Sequence, residues 1–143
     1  MAYVRKKRVG EHTYYQLVEG YRKNGKVYQR VLCHLGRQET PEAALNLWQK
    51  RAEQARQMVR DYRHAAEYVR LGRARWLPYY YFGGLRWRRL VPRAATPLDS
   101  TPIDGDGWHQ LNGSAEDIER RAREYVAKAE RWDERAERLR SVL

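Results

Sequence analysis

Polar and apolar side chains alternate through the first 35 residues, with short turn signals between them. β-Branched and aromatic residues recur in residues 2–35, which is typical of β-strands. We place a first turn at residues 9–12 and a second at 23–26, where Asn24-Gly25 suits the two positive φ angles of a type I′ turn. Residues 1–38 are therefore predicted to form a three-stranded antiparallel meander.

The second turn also predicts which residues face each other across the hairpin. Counting outward pairs Tyr21 with Tyr28, Glu19 with Arg30, Val18 with Val31, and Leu17 with Leu32. Aromatic, opposite-charge and aliphatic pairs of this kind stabilise neighbouring strands.

Two later segments repeat apolar residues in alternating steps of three and four, which predicts helices with a narrow apolar stripe. The first, over 39–76, begins with Thr40 as cap, Pro41 at the first helical position and an acid near the positive end of the dipole. The second, over 114–143, begins with a Ser-Ala-Glu-Asp run that resembles a capping box. The first stripe is Leu45, Trp48, Ala52, Ala55, Val59, Tyr62, Ala66 and Val69, and the second is Ile118, Ala122, Tyr125, Ala129, Trp132, Ala136, Leu139 and Leu143.

The two stripes match in length and alternate large with small side chains. The simplest arrangement packs them as an antiparallel, coiled-coil-like helical hairpin, with each Trp or Tyr opposite an Ala. The alternative is a coiled coil with a second copy of the chain or with a protein partner.

Residues 77–113 lie between the helices. A tight β-hairpin around Gly83-Gly84 is predicted first, and an irregular connection from 92 to 113 follows. The hairpin would place Tyr80, Phe82, Leu85 and Trp87 on one face and Tyr79, Tyr81, Arg86 and Arg88 on the other. We thus expect one compact α+β domain, with the meander packed on the helical hairpin and an aromatic insertion between the helices.

The net charge of +11 is unevenly distributed along the chain. Residues 1–40 carry nine Lys or Arg against three Asp or Glu, and 41–76 carry eight against four, whereas 114–143 carry eight of each. A directional excess of this kind favours a polyanionic partner. Most of the basic residues are Arg, which pairs with phosphate and stacks on bases, although a GC-rich genome also enriches Arg.

Two groups of cations are candidates for nucleic-acid binding. A two-stranded ribbon is narrow enough to enter a major groove, where cations at its tip and edge meet phosphates, although edge cations also prevent aggregation. Aromatic residues interleaved with Arg are typical of surfaces that stack unpaired bases, although an aromatic cluster joined to the helices by cation–π contacts fits the same pattern. The ribbon group is Arg5, Lys6, Lys7, Arg8, Arg22, Lys23 and Lys26, and the aromatic group is Arg86, Arg88 and Arg89 with Tyr79, Tyr81 and Trp87.

No pattern in the sequence predicts catalysis, a metal site or a cofactor. The four His residues and Cys33 lack metal-ligand spacing. Asp99, Asp104 and Asp106 near His109 could hold Mg²⁺ for a nuclease, but acids in a Pro- and Gly-rich loop usually form turns. The mixed charges of the last helix, Glu116, Glu119, Arg120, Arg123, Glu124, Arg131, Glu134, Arg135 and Arg138, predict a solvated, ion-paired face.

The sequence also predicts a cytoplasmic protein without membrane contact, associated with the nucleoid in a bacterium. No apolar run approaches the roughly 18 to 20 residues that span a bilayer, and the first residues do not resemble an apolar signal core. A single cysteine fits a reducing compartment.

The predicted meander contains a run of short motifs. They are Tyr14-Tyr15, Leu17-Val18-Glu19, Tyr21-Arg22, Gly25-Lys26-Val27, Arg30-Val31-Leu32 and Leu35-Gly36. With these motifs residues 8–37 resemble the N-terminal segment of DDE-type insertion-sequence transposases, in which a Tyr-Tyr-x-Leu-Val-Glu-x-Tyr-Arg-x-x-Gly-Lys-Val run leads to Arg-Val-Leu and a Leu-Gly ending. The resemblance implies association with DNA through Arg22, Lys26 and Arg30.

This resemblance does not imply that the chain has the catalytic domain or the activity of such transposases. A DDE core needs an RNase H-like sheet and three separated acids, whereas the rest of this chain mostly predicts helix. We therefore expect a non-enzymatic, stand-alone relative of the N-terminal module that binds double-stranded DNA. The alternatives are a structured-RNA binder, an adaptor subunit of a nucleoprotein complex that acts through its helical hairpin, and a small nuclease that uses the Asp loop.

Overall fold

The computed structural model describes residues 1–103, 105 and 107–143 and has the predicted α+β architecture. The described residues form two compact units, 1–53 with 130–143 and 54–129, a division that the sequence analysis does not predict. Both helices contribute residues to each unit. The elements are β1 Ala2–Val9, β2 His12–Lys23, β3 Lys26–Gly36, α1 Pro41–Arg70, β4 Arg75–Tyr81, β5 Gly84–Pro92, a 3₁₀ turn Arg93–Ala95, β6 Thr101–Ile103, β7 Trp108–Leu111 and α2 Ala115–Val142.

The first unit contains the predicted antiparallel meander, in the order β1-β2-β3. Asn24 and Gly25 have φ angles of 52° and 75°, which confirms the turn between β2 and β3. The pairs of Tyr21 with Tyr28, Glu19 with Arg30 and Val18 with Val31 are also confirmed.

The predicted pair of Leu17 with Leu32 is wrong, because Leu17 lies opposite Cys33. An irregularity between Leu17 and Val18 gives β3 one extra residue there. Since one residue of slip exchanges the faces of a strand, this bulge turns Cys33 and Leu35 toward the buried side. They are 7% and 1% exposed.

The core of the first unit joins the sheet to both helices. The N-terminal part of α1 meets the C-terminal part of α2 there, so the two helices pack antiparallel within the chain, as predicted. The buried members are Leu17, Cys33 and Leu35 of the sheet, Ala44 and Trp48 of α1, and Ala136 and Leu139 of α2.

Both helices begin at the predicted caps, but α1 ends earlier than predicted. The Thr40 hydroxyl accepts a hydrogen bond from the Ala43 N–H at 3.1 Å. The prediction of helix to residue 76 is wrong, because Gly72 adopts a φ of 67° and the Arg73 N–H donates to the Tyr68 carbonyl at 3.0 Å. This is a Schellman ending, which glycine favours because it has no Cβ to clash.

The second unit contains a four-stranded sheet in the order β4-β5-β7-β6. The two faces predicted for the β4–β5 hairpin agree with its register, but its turn lies one residue earlier, at Phe82-Gly83. The prediction that residues 92–113 are irregular is wrong in part, because β6 and β7 lie there. These strands have three and four residues, too few for alternation to reveal them.

Helix packing in the second unit differs from the prediction that each Trp or Tyr lies opposite an Ala. Tyr62 stacks on Tyr125, with ring centroids 5.6 Å apart and planes inclined by 22°, so an aromatic ring faces another aromatic ring rather than only an Ala. Offset stacking of this kind is favourable between buried rings. The buried members of this core are Met58, Tyr62, Ala65, Ala66, Val91, Leu111, Ile118 and Ala122.

Candidate nucleic-acid interface

The four cations of β1 lie on an edge strand and alternate between its two faces. Arg5 and Lys7 share one face, while Lys6 and Arg8 share the other, because successive residues of a strand point to opposite sides. They therefore line the edge of the sheet rather than a single face. Lys6, Lys7 and Arg8 are exposed.

Arg5 is held by neutral side chains. Its guanidinium donates to the Gln16 side-chain oxygen at 2.7 Å and to the Gln29 side-chain oxygen at 2.9 Å. The Gln16 amide in turn contacts His34 Nδ1 at 3.2 Å, so the row of polar contacts crosses all three strands. Because amide partners carry no charge, the positive charge of Arg5 is oriented but not neutralised.

The tip of the β2–β3 hairpin is uniformly positive. Lys23 lies directly opposite Lys26, and Arg22 lies opposite Val27. Residues 20–29 contain no Asp or Glu. Behind the tip, the stacked rings of Tyr21 and Tyr28 join the two strands, with centroids 5.6 Å apart. The hairpin thus holds three exposed cations on a short, stiffened ribbon.

Arg30 differs from the other predicted cations. Its Nε donates to the Glu19 carboxylate at 2.7 Å, and the two residues are cross-strand partners. The pair compensates the charge of Arg30 within the sheet. A role for Arg30 that is structural rather than DNA-binding is consistent with this geometry.

A basic cleft that the sequence analysis missed lies between β3 and α2 in the first unit. It has a volume of about 480 Å³, and its lining from α2 comprises three arginines and one acid, Arg131, Glu134, Arg135 and Arg138. The other wall is residues 31–34 of β3. Burial raises the pKa of the Cys33 thiol in this wall, and the positive charges of Arg135 and Arg138 oppose that shift.

Aromatic packing orients the middle arginine of this cleft. Arg135 lies over the Trp48 ring at 4.6 Å and over the Trp132 ring at 5.7 Å. Cation–π contacts stabilise the guanidinium without removing its charge. The spacing of four and three residues between the arginines was visible in the sequence, but an ion-paired, solvated face has the same spacing.

The β4–β5 hairpin carries the second predicted group of cations. Arg88 lies 3.9 Å from the centroid of Tyr79, and Arg89 lies 4.6 Å from that of Trp76. Arg86 is 6.0 Å from Tyr81, at the outer limit of such a contact. These contacts form within the hairpin itself. Its outer aromatic rings remain exposed, so the alternative of a buried aromatic cluster against the helices is wrong for this part of the hairpin.

Asp99 of the predicted acidic loop has protein partners. It accepts hydrogen bonds from the Tyr62 hydroxyl and from Arg121, the latter at 3.1 Å. Asp104 and Asp106 lie outside the described residues. His109 contacts the Ser100 hydroxyl at 2.8 Å.

The described residues contain neither a metal-binding group nor a membrane-spanning helix. Among residues 1–103, 105 and 107–143, no three His, Cys, Asp or Glu side chains come together as a group that could hold a metal ion. In the same residues, neither helix is long and apolar enough to cross a membrane.

The basic sheet and its hairpin lie within a segment that matches a family model. Residues 2–67 match the model of the IS1634 family transposase, N-terminal domain. Over residues 2–67 the chain is therefore similar to an N-terminal transposase segment, and the resemblance predicted from residues 8–37 is confirmed to that extent. Assignment to the DDE type stays a prediction. Comparison with curated proteins and with solved structures returns no match.

The matched segment covers all three strands of the first sheet and most of α1. It includes the cations of β1 and of the β2–β3 tip. The β4–β5 hairpin and the arginines of α2 follow it in the chain.

Proposed function

We propose that this chain is a non-enzymatic protein that binds double-stranded DNA through the edge and the tip of its first sheet. The observation that carries the proposal is the acid-free hairpin tip, where Lys23 and Lys26 face each other beside Arg22. Such an arrangement costs folding energy unless an anion compensates it. The match to a transposase N-terminal domain supports DNA as that anion.

The shape of the tip suits a duplex. A two-stranded antiparallel ribbon fits within the major groove of B-DNA, which is roughly 12 Å wide. Cations at the end of the ribbon then meet the phosphates on both sides of the groove. Lys7 and Arg5 along β1 extend the positive edge away from the tip.

The basic cleft supplies a second contact within the same unit. Arg131 and Arg138 flank the oriented Arg135, and together they outnumber the one acid in the lining. A phosphate of the DNA backbone is the ligand that this charge balance favours. Contacts of this kind add affinity without sequence preference.

The apolar stripes favour DNA binding over the adaptor alternative. Trp48, Ala136 and Leu139 are buried within the first unit, so the stripes pack on each other there. An adaptor acting through these stripes would have to separate the two helices. The cations of the tip need no such opening.

A binding titration with matched charge variants tests the proposal. Fluorescence anisotropy at two salt concentrations should show duplex DNA binding that weakens steeply with salt, because counterions compete for the phosphates. The double variant Lys23→Glu with Lys26→Glu should weaken binding about tenfold or more and lower the salt dependence. Lys50→Glu with Lys128→Glu changes the net charge equally at exposed positions of the two helices, and should have a much smaller effect.

Three results would overturn the proposal. Equal losses in the two double variants would mean that only net charge matters. Tighter binding to structured RNA than to duplex DNA at both salt concentrations would favour the RNA alternative. Metal-dependent cutting of a plasmid by the purified chain would contradict the non-enzymatic role.

A further inference from the structure

The β4–β5 hairpin of the second unit projects beyond the sheet that anchors it. Strand β5 pairs with β7 only through Arg89–Pro92, whereas its pairing with β4 continues outward to Gly84. Residues 76–88 therefore form a two-stranded ribbon, and none of the other described strands pairs with it. Both faces of this ribbon can meet a ligand.

The projecting ribbon exposes large aromatic side chains. Phe82 is 92% exposed, Tyr80 is 81% exposed and Trp87 is 56% exposed. Trp87 lies opposite Pro78, which is two residues before Tyr80 on β4. Directly opposed residues share a face of the ribbon, as do alternate residues of one strand, so Tyr80 and Trp87 lie on the same face. An exposed apolar surface of this kind commonly marks an interaction site.

The turn of the ribbon adds an independent observation. Phe82 has a φ of 45°, in the left-handed region where Gly and Asn are favoured and a bulky residue is an outlier. The cost is roughly 1–2 kcal/mol relative to glycine. The exposed Phe82 ring contributes no buried packing that would offset this strain. Backbone strain of this kind is typical of functional sites, which favours a role for Phe82 in binding a ligand.

The charge around these rings identifies the class of ligand. Residues 68–98 contain seven Arg and no Asp or Glu. A second copy of the chain would bring the same positive charge and be repelled. Flat rings beside arginines instead match a polyanion that offers flat, unpaired groups, which is single-stranded nucleic acid.

We propose that the β4–β5 ribbon binds single-stranded DNA by stacking unpaired bases on Tyr80, Phe82 and Trp87. Arg89 lies on the face of Tyr80 and Trp87, since it pairs with Trp76. Its guanidinium donates to the Gly113 carbonyl at 3.0 Å, and its other N–H groups are the donors we assign to phosphate. The site lies in a different unit from the duplex site and adds a second activity to the proposed function.

Binding of a short oligothymidine by the full chain tests this site. The control ligand is an abasic oligonucleotide of the same length, which has the same phosphates and no bases. We expect oligothymidine to bind at least about tenfold more tightly, because stacking contributes roughly 1–3 kcal/mol per base. Equal affinity for the two ligands would overturn the proposal.

Matched variants separate stacking from other effects. Tyr80→Ser with Phe82→Ser should reduce oligothymidine affinity about tenfold, while leaving duplex affinity and the circular-dichroism spectrum unchanged. Leu98→Ser removes another exposed apolar side chain of the same unit, outside the ribbon, and should leave both affinities unchanged. Unchanged oligothymidine affinity in the double variant would contradict the stacking role.

Different variants test the duplex-binding proposal and the base-stacking proposal, so one can be wrong without the other. The tip variant Lys23→Glu with Lys26→Glu should weaken duplex binding but keep the preference for oligothymidine over the abasic ligand. If the wild-type chain self-associates in sedimentation velocity and the ribbon double variant does not, the ribbon is a contact between copies and the base-stacking proposal is wrong.

Discussion

Lys23 and Lys26 occupy directly opposed positions at the last pair of the β2–β3 hairpin. Like charges in such positions destabilise a strand pair, whereas opposite charges stabilise it by about 0.2–1 kcal/mol. The turn at Asn24 and Gly25 forms without strain, and this favourable turn offsets the repulsion between the two lysines.

The repulsion predicts opposite effects of one substitution on stability and on binding. Lys23→Glu should raise the free energy of unfolding by a few tenths of a kcal/mol and weaken duplex binding. Urea denaturation and anisotropy measure the two quantities. Lys6→Glu, whose cross-strand partner is Tyr15, should weaken binding without the gain in stability. A lower stability for Lys23→Glu would contradict the explanation.

Two glycines of the hairpin are predicted to differ in their tolerance of alanine. Gly25 has a φ of 75°, so Gly25→Ala should lower the free energy of unfolding by roughly 1 kcal/mol or more. Gly20 lies within β2, and a Cβ added there would meet only the Tyr28 carbonyl oxygen, at 4.0 Å. Gly20→Ala should therefore be close to neutral in urea denaturation. Equal losses at both sites would contradict the positive φ of Gly25 as the cause of the difference.

The start of α2 predicts a dependence of stability on pH. The Ser114 N–H and hydroxyl both donate to Asp117, at 2.9 and 2.8 Å, and these bonds lower the pKa of the Asp117 carboxyl. A carboxyl with a lowered folded-state pKa stabilises the fold above its unfolded pKa and loses that contribution as pH falls through the folded one. The stability difference between wild type and Asp117→Asn should therefore shrink below pH ~4.

A second variant checks the cap without changing the acid. Ser114→Ala should cost about 1 kcal/mol at neutral pH, the usual value for a lost helix cap. Ser114→Thr keeps a hydroxyl and should retain most of the stability. Thermal melts followed by circular dichroism at 222 nm measure both. Equal losses for Ala and Thr would exclude the hydroxyl as the source.

Tyr62 predicts a loss of stability at alkaline pH. Burial, together with the hydrogen bond to Asp99, raises the pKa of the Tyr62 hydroxyl. A group with a raised folded-state pKa contributes fully below its unfolded pKa, which is about 10, and the contribution is lost as pH rises above that value. Tyr62→Phe should lose about 1 kcal/mol at neutral pH and show a smaller decline in alkaline urea denaturation. Tyr80→Phe, at an exposed ring, controls for the loss of one tyrosine.

Several features of the fold follow from short stretches of sequence. Asn24-Gly25 determines a turn, Thr40-Pro41 and Ser114 determine helix starts, and the steps of three and four determine the apolar stripes. In each case the interacting groups lie within a few positions of each other along the chain. The positive tip of the first hairpin is predictable for the same reason.

Other features depend on partners that are distant in sequence. The bulge beside Leu17 is favoured because it turns Cys33 and Leu35 toward helices from later in the chain. Strands β6 and β7 are too short to be stable alone and depend on pairing with each other and, through β7, with β5.

The two proposed binding sites, the basic first sheet and the β4–β5 ribbon, also depend partly on sequence and partly on tertiary structure. The sequence by itself determined which residues carry the charge and the aromatic rings. Tertiary structure decided that Arg30 is compensated by Glu19, that Arg131, Arg135 and Arg138 line a cleft, and that Phe82 is exposed. The physical reason is that exposure and charge compensation depend on which groups the fold brings within a few ångströms, and local periodicity carries no information about those groups.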